Sequence, residues 1–418
     1  MGLTISEKIF RDHSNEKVVA GDFTVADIDI AMAHDGTAPL AIDNFEDMGG
    51  KKVWDPSKIV LILDHLSPSP HTSASIVHKQ MREFARKYKI QNFFDIGSGV
   101  CHQILPEKGF INTGNLVVGA DSHTCTHGAL GAFSTGIGST DMAAVFYSGK
   151  LWFRVPETFR IEVSGKLHPF VLAKDLILHI IGQIRADGAT YKAVEFCGET
   201  VKGFDIASRM TLCNMAVEMG AKTGLVSPDK KTLDYLENRV PSSGKVVEND
   251  PDAEFEETFN FEVDDLSPQI AYPPFVDNVR PIEEYEGTDV DQIFLGSCTN
   301  GRLEDLQIAA KILDGKKIHE DVRMIVMPAS RDIYLRTIKD GLAEIFLNAG
   351  CCINNPGCGP CVGGHAGILA PGEVCLSTTN RNFEGRMGEK GQIYLGSPAT
   401  AAATALKGVI ADPRELEA

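Results

Sequence analysis

The sequence lacks any apolar run that approaches the length of a membrane span, which is about 18 residues. It also lacks a signal peptide before Ser6, so we expect a cytoplasmic protein. Basic residues are outnumbered, because 40 Lys and Arg face 57 Asp and Glu among 418 residues, which gives a net charge of −17. This balance argues against nucleic acid or an anionic membrane as the partner.

Ten cysteines occur without a secretion signal, so we expect reduced thiols or metal ligands rather than disulfides. Cys358 and Cys361 lie two residues apart in a glycine-rich stretch, a spacing that lets both sulfurs face one metal or cluster. Cys298 follows the apolar run 293–295 and could supply a third ligand, and Cys351 or Cys352 could supply another. Cys-Gly-Pro-Cys is also the thioredoxin motif, so a redox dithiol remains an alternative.

Short apolar runs alternate with helical patterns, which predicts α/β architecture with mostly parallel sheets. We expect strands over 158–163 and 292–295 and a buried helix over 174–184. The acidic, proline-marked stretch 241–274 suggests a linker or domain boundary. We therefore expect three α/β domains: residues 1–156, residues 157–275 with Glu195, and residues 276–418 with the cysteine pair.

Three of the apolar runs end within a few residues of a histidine. Asp64-His65 follows the first run, His102 closes a glycine-rich loop after the second, and Asp121-Ser122-His123 follows the third. Ligands collect at the carboxyl ends of parallel strands, so these histidines are expected to share one crevice. Two arginines, Arg381 and Arg386, follow a later strand and suit a carboxylate clamp, because guanidinium pairs bidentately with carboxylates.

Several motifs, in the same order and nearly end to end, resemble the large subunits of 3-isopropylmalate dehydratases and homoaconitases in the aconitase superfamily. The resemblance rests on these stretches: Asp64-His65, Gly97-Ser-Gly-Val-Cys-His102-Gln103, Asp121-Ser122-His123-Thr124, residues 188–196, Gly296-Ser-Cys298-Thr-Asn300-Gly301, Cys358-Gly-Pro-Cys361 and residues 380–386. It implies three α/β/α domains of the aconitase iron-sulfur core type, without the swivel domain.

The resemblance also implies a [4Fe-4S] cluster held by Cys298, Cys358 and Cys361, with one iron left open to the substrate. Asn380 resembles a cluster neighbour. An open iron acts as a Lewis acid, which suits the dehydration and rehydration of a hydroxy-di- or tricarboxylate.

The carried-over catalytic roles are three carboxylate–histidine pairs. They are Asp64 with His65, Asp121 with His102, and Glu195 with His123, and His65 is the expected acid toward the departing hydroxyl. Ser122 and Arg381 resemble substrate-binding positions of the family, and Arg386 resembles a carboxylate contact. His34 stands where aconitase proper has glutamine, which favours an isopropylmalate-type enzyme.

Aconitase proper continues into a swivelling domain that carries its serine base, whereas this sequence stops at Ala418. We therefore expect a separate small subunit that carries this domain, in a heterodimer or heterotetramer. The expected function is that of a 3-isopropylmalate dehydratase large subunit in leucine biosynthesis. Alternatives are a homoaconitase or methylmalate-type hydro-lyase and, more remotely, a thiol oxidoreductase. The net charge disfavours an RNA-binding regulator.

Overall fold

The computed structural model describes residues 2–241 and 244–417. The strands within these ranges are β1 Phe23–Asp27, β2 Ile30–His34, β3 Ile59–Ile62, β4 Asn92–Phe94, β5 Leu116–Gly119, β6 Phe133–Gly136, β7 Lys150–Arg154, β8 Thr158–Ser164, β9 Ala193–Cys197, β10 Thr223–Leu225, β11 Glu257–Glu262, β12 Gln269–Ala271, β13 Val279–Pro281, β14 Gln292–Leu295, β15 Arg323–Val326, β16 Cys352–Ile353, β17 Val374–Ser377 and β18 Gln392–Leu395.

The α-helices connect and cover these strands. They are α1 Ile5–Ser14, α2 Ala38–Asp47, α3 Thr72–Tyr88, α4 Cys101–Glu107, α5 Ser139–Ser148, α6 Ala173–Ile184, α7 Glu199–Gly203, α8 Ile206–Met215, α9 Lys230–Leu236, α10 Ser297–Asn300, α11 Leu303–Leu313, α12 Arg331–Lys339, α13 Leu342–Ala349 and α14 Pro398–Lys407. Two 3₁₀ helices, Ser122–Leu130 and Ala216–Met219, also contribute to the site described below. In the described ranges, no helix is both long and apolar enough to cross a membrane.

The described residues form four sheets, of which the smallest is the antiparallel pair of β1 and β7, and the three larger ones organise the chain. The first has the order β4-β3-β2-β5-β6 and is entirely parallel. The second is parallel, with the order β10-β9-β8-β11. The third has seven strands, of which β14 to β18 pair in parallel and β12 and β13 pair antiparallel at one side. The prediction of an α/β fold with mostly parallel sheets is therefore confirmed.

Residues 241–274 are expected to form a linker or a domain boundary, and the linker interpretation is wrong because this stretch contains β11 and β12. β11 pairs with β8 over six residue pairs, which makes this stretch an edge of the second sheet. Just before β11, Asn249 and Asp250 accept hydrogen bonds from the backbone amides of Ile5 and Leu3. β12 already belongs to the third sheet, and the domain boundaries stay a prediction.

The core is continuous across the sheets. One cluster of buried apolar side chains contains Val60 from the first sheet, Ile161 from the second and Phe294 from the third. Burial of such side chains stabilises the fold by about 1.5–3 kcal/mol each relative to exposure, before the entropy cost of ordering the chain. The loops at the strand ends therefore extend from sheets that share one hydrophobic core.

Candidate active site

A cavity of about 240 Å³ lies where loops of the first and third sheets meet. All the predicted site residues except Asp64 and Glu195 line it, namely His34, His65, His102, Asp121, Ser122, His123, Cys298, Cys358, Cys361, Asn380, Arg381 and Arg386. His34 ends β2, Asp64 and His65 follow β3, and Asp121 follows β5. Because these are neighbouring parallel strands, their carboxyl ends bring the side chains to one edge of the sheet.

Asp64 and His65 form a close pair beside this cavity. His65 Nδ1 lies 2.7 Å from Asp64 Oδ1, and the second carboxylate oxygen of the buried Asp64 accepts the amide of Cys101 at 2.7 Å. Burial by itself lowers the pKa of His65, but the charge and hydrogen bond of Asp64, with help from Asp35 and Asp121, raise it to about 9. His65 is therefore protonated at neutral pH.

Asp35 fixes the turn that carries this pair, and the sequence interpretation missed it. Its carboxylate accepts the backbone amides of His65 at 2.9 Å and Leu66 at 2.8 Å, and it lies 3.0 Å from His78 Nε2. Burial opposes ionisation of Asp35, but the hydrogen bond with His78 and the charges of His65 and His34 lower its pKa overall. Its signal in the sequence is its position directly after His34, the last residue of β2.

Asp121 connects three histidines. Its Oδ1 lies 2.5 Å from His102 Nε2 and accepts the backbone amide of His123 at 2.5 Å, while its Oδ2 lies 3.3 Å from His34 Nε2. The rings of His34 and His65 stack with their centroids 3.6 Å apart. Although burial raises the pKa of Asp121, the charge of His102 and its hydrogen bond outweigh it, and the pKa lies well below the ordinary value.

The predicted pairing of Glu195 with His123 is wrong. His123 Nε2 lies 2.8 Å from Glu218 Oε1, whereas both carboxylate oxygens of Glu195 accept hydrogen bonds from the Asn249 side chain. Glu195 lies on β9, outside the cavity lining, and burial raises its pKa. Glu218, and not Glu195, is the carboxylate that pairs with His123.

Glu218 also orients an arginine of the predicted clamp. Arg381 Nε donates to Glu218 Oε1 at 2.9 Å, and Arg381 Nη1 donates to Ser122 Oγ at 3.4 Å. Burial opposes ionisation of Glu218, but the hydrogen bond of His123 and the charge of Arg381 lower its pKa. Glu218 is the one carboxylate in the helical pattern from Ile206 to Met219, and that was the signal available in the sequence.

The three thiols lie deep in the cavity, with exposed fractions of 5%, 4% and 3% for Cys298, Cys358 and Cys361. Cys361 lies beside Arg386, whose Nη2 is 3.9 Å from the sulfur. The hydrogen bond from Cys358 lowers the pKa of Cys361, with the charge of Arg386 acting in the same direction against burial. Cys351 is buried in the third sheet's core and Cys352 is exposed, and neither lines the cavity.

Amide side chains point their N–H groups at Cys298. Asn214 Nδ2 lies 3.2 Å and Asn380 Nδ2 lies 3.6 Å from the Cys298 sulfur. Asn214, which the sequence interpretation missed, also accepts hydrogen bonds from Thr299 and Asn380. Three buried thiols with N–H donors around them fit an iron-sulfur cluster, because such donors stabilise thiolate sulfur.

The loop that carries the cysteine pair is joined to the Asp64–His65 turn through the backbone. The amide of Cys358 donates to the carbonyl of Asp64 at 2.9 Å. Gly359 has a φ of +60°, a backbone conformation that residues with a Cβ rarely adopt, so this turn favours glycine. The thiols and the turn that bears His65 are therefore held at a fixed distance.

Comparison with known proteins identifies the family of the chain. The profile described as Aconitase family (aconitate hydratase) matches residues 7–286 and 280–408. The 3-isopropylmalate dehydratase large subunit 1 of Methanopyrus kandleri is 57% identical over 99% of both chains. A probable methanogen homoaconitase large subunit of Methanosarcina mazei is 56% identical, over 94% of this chain and 100% of that protein.

More distant proteins also resemble this chain. The 3-isopropylmalate dehydratase large subunit of Aquifex aeolicus is 49% identical over 100% of this chain and 98% of its own length. The crystal structure of Thermococcus kodakaraensis aconitase X superposes with a TM-score of 0.50 and 16% identity, over 85% of this chain and 84% of that one, a likeness in fold alone. With the family profile matched along most of its length, this chain belongs to the aconitase family.

Proposed function

We propose that this chain is the cluster-bearing large subunit of a hydro-lyase that converts 2-isopropylmalate to 3-isopropylmalate in leucine biosynthesis. The observation that carries the proposal is the meeting of carboxylate-paired histidines, three thiols and Arg381 in one cavity. Relatives named 3-isopropylmalate dehydratase large subunit, at 49% to 57% identity over nearly the whole chain, support this substrate.

Cys298, Cys358 and Cys361 would hold a [4Fe-4S] cluster. When bound, such a cluster supplies an open iron that serves as a Lewis acid for the substrate's hydroxyl and carboxylate oxygens. Three cysteines in the cavity lining, rather than four, match a cluster with one iron free of thiolate.

His65 is the proposed general acid. Asp64 holds its Nδ1, which leaves Nε2 as the nitrogen that donates a proton. A pKa of about 9 keeps the ring protonated at neutral pH, so the hydroxyl leaves as water when its carbon–oxygen bond breaks. His102 and His123, each paired with a carboxylate, assist at the same water.

Arg381 and Ser122 are the proposed substrate anchors. With Nε held by Glu218, the guanidinium of Arg381 is oriented before substrate arrives, and its Nη groups can grip a carboxylate. Arg386 lies on the thiol side of the cavity, beside Cys361, and is the second proposed carboxylate contact. Together these residues bind a hydroxy-dicarboxylate and set its hydroxyl toward His65.

A separate small subunit would supply the base that removes the carbon-bound proton. The names of the relatives, which all include the words large subunit, support such a partner. A heteromer is therefore the proposed active form, and robust turnover by this chain alone would contradict it.

A homoaconitase is the second candidate, because relatives with that name are 51% and 56% identical to this chain. The two functions share the same chemistry and differ in the substrate's side chain. A dithiol oxidoreductase is disfavoured by the burial of both members of the Cys358–Cys361 pair, since a redox partner needs access to an exposed thiol.

The deciding experiment combines the anaerobically reconstituted chain with its candidate small subunit. Formation of the unsaturated intermediate is followed by ultraviolet absorbance with isopropylmalate, homocitrate and methylmalate-type substrates. Preference for isopropylmalate supports the proposal, whereas preference for homocitrate supports the second candidate. Iron and sulfide analysis of the chain separates both from a dithiol enzyme, which needs neither element.

A further inference from the structure

Lys174, near the start of α6, has an amine that is buried completely in the interior. Its Nζ donates to the backbone carbonyl of Thr378 at 3.0 Å and also to the carbonyl of Thr379. Among the described residues, no carboxylate forms an ion pair with this amine. Burial of an ammonium group without a paired anion destabilises the fold, so we expect a compensating negative charge nearby.

The two carbonyls belong to the loop 378–381, which carries Asn380 and Arg381. Asn380 directs its amide at the Cys298 sulfur, and Arg381 is the proposed substrate anchor. Burial lowers the pKa of Lys174 to about 7, and the charges of Asp175, Cys361, Asp305 and Cys298 oppose that shift. The side chain of Asn380, the residue after Thr379, lies 3.6 Å from the Cys298 sulfur and 4.0 Å from the Cys361 sulfur, so the loop that Lys174 holds borders two of the thiols.

We infer that Lys174 is a positioning residue that fixes the loop 378–381 and supplies a buried positive charge beside the cluster. This inference rests on the proposed function for the cluster itself. A thiolate-bound cluster is anionic, and a positive charge in a low-dielectric interior stabilises it, more so after reduction adds another electron. Lys174 therefore raises the reduction potential and slows the loss of iron.

The test compares the anaerobically reconstituted full chain with Lys174→Met, Lys174→Gln and Lys174→Arg. The measurements are the midpoint potential, from a titration monitored by electron paramagnetic resonance, and the rate of iron release to a chelator. We expect Lys174→Met to lower the potential and to release iron about tenfold faster, the size of effect typical of groups behind metal ligands. Lys174→Arg keeps the charge and should lie closer to the wild type.

Lys222→Met is the matched control, because Lys222 is another largely buried lysine whose Nζ donates to a backbone carbonyl, that of Gly136, away from the thiols. We expect it to leave both measurements unchanged. If Lys174→Met fails to fold by circular dichroism, Lys174→Gln decides, since its amide can still donate a hydrogen bond but carries no charge.

The inference is overturned if the neutral variants keep the wild-type potential and iron-release rate. That result would leave the proposed cluster function intact. If the wild-type chain instead binds no iron and sulfide after reconstitution, the proposed function and this inference both fall.

Discussion

Replacement of Asp64 by asparagine separates the charge of the Asp64–His65 pair from its shape. The asparagine oxygen can still accept the Cys101 amide, but its NH₂ group then faces His65 Nδ1 and favours the neutral ring. Asp64 contributes the largest upward effect on the pKa of His65, which is about 9 against an ordinary value of 6.5. Without that charge, burial dominates, and we expect the pKa to fall to the ordinary value or below.

The size of this change can be worked out. A fall from about 9 to 6.5 removes roughly 3 kcal/mol of preference for the protonated ring. At about pH 7.5, the protonated fraction then drops from nearly all molecules to about one in ten. If His65 is the acid, the alkaline limb of the pH–rate profile moves from near pH 9 to pH 6.5 or lower.

The assay is the pH dependence of kcat for the reconstituted heteromer, measured by absorbance of the unsaturated intermediate. Asp29→Asn is the matched control. Asp29 lies 2.7 Å from His13 and raises the pKa of that histidine in the same way, but this pair does not line the cavity. The control should keep the wild-type profile. A wild-type profile in Asp64→Asn as well would refute the assignment of His65 as the acid.

The same substitution has a consequence for stability that needs no substrate. A histidine whose pKa is raised on folding stabilises the native state fully below its unfolded pKa, and this contribution is lost as the pH rises through the folded value. Unfolding of the cluster-free chain should therefore show the largest difference between the wild type and Asp64→Asn below about pH 6.5. The difference should shrink between about pH 6.5 and about pH 9 and be nearly gone above pH 9.

Three further predictions follow from the site. Glu218→Gln should lower kcat by about 100-fold or more and raise KM, because His123 loses its paired carboxylate and Arg381 loses the partner that orients it. The control variant Glu195→Gln should leave both kinetic constants near those of the wild type. Cys361→Ser should abolish iron and sulfide incorporation, whereas serine at the exposed Cys352 should leave the iron content unchanged. Activity should be lost in air and return with iron and reductant under anaerobic conditions, since one iron of the proposed cluster has no thiolate ligand, and indifference to both treatments would contradict this.

The parts of the fold that depend on local pattern could be predicted from the sequence. The strand expected over 292–295 is β14 Gln292–Leu295, and the helix expected over 174–184 is α6 Ala173–Ile184. Runs of buried apolar residues bounded by glycine or polar turns carry these signals within a few residues. The stretch 241–274 misled because its acidic, exposed β11 is an edge strand, and an edge strand has a sequence much like that of a linker.

The residues of the site also fall into two groups, those that could be predicted from the sequence and those that could not. Asp64 with His65 and Asp121 with His102 are close to strand ends, where a polar residue after an apolar run is visible in the sequence. Glu218 was missed because it lies inside a helical pattern rather than at a strand end, and its partner His123 is 95 positions away. Such pairs are set by how the sheets pack together, and the sequence has no local record of that packing.

The residues that sequence reasoning missed share a physical task, which is to join parts of the chain that are far apart. Asp35 fixes the turn of His65 within the first sheet, and Lys174 reaches from α6 to the loop 378–381 after β17. Asn214 connects α8 to Cys298. The proposed mechanism requires that His65, the thiols and Arg381 keep their relative positions, and positions held by several buried hydrogen bonds change little when substrate binds. We therefore expect changes at these joining residues to act on the reaction rate as strongly as changes at some of the residues that touch the substrate.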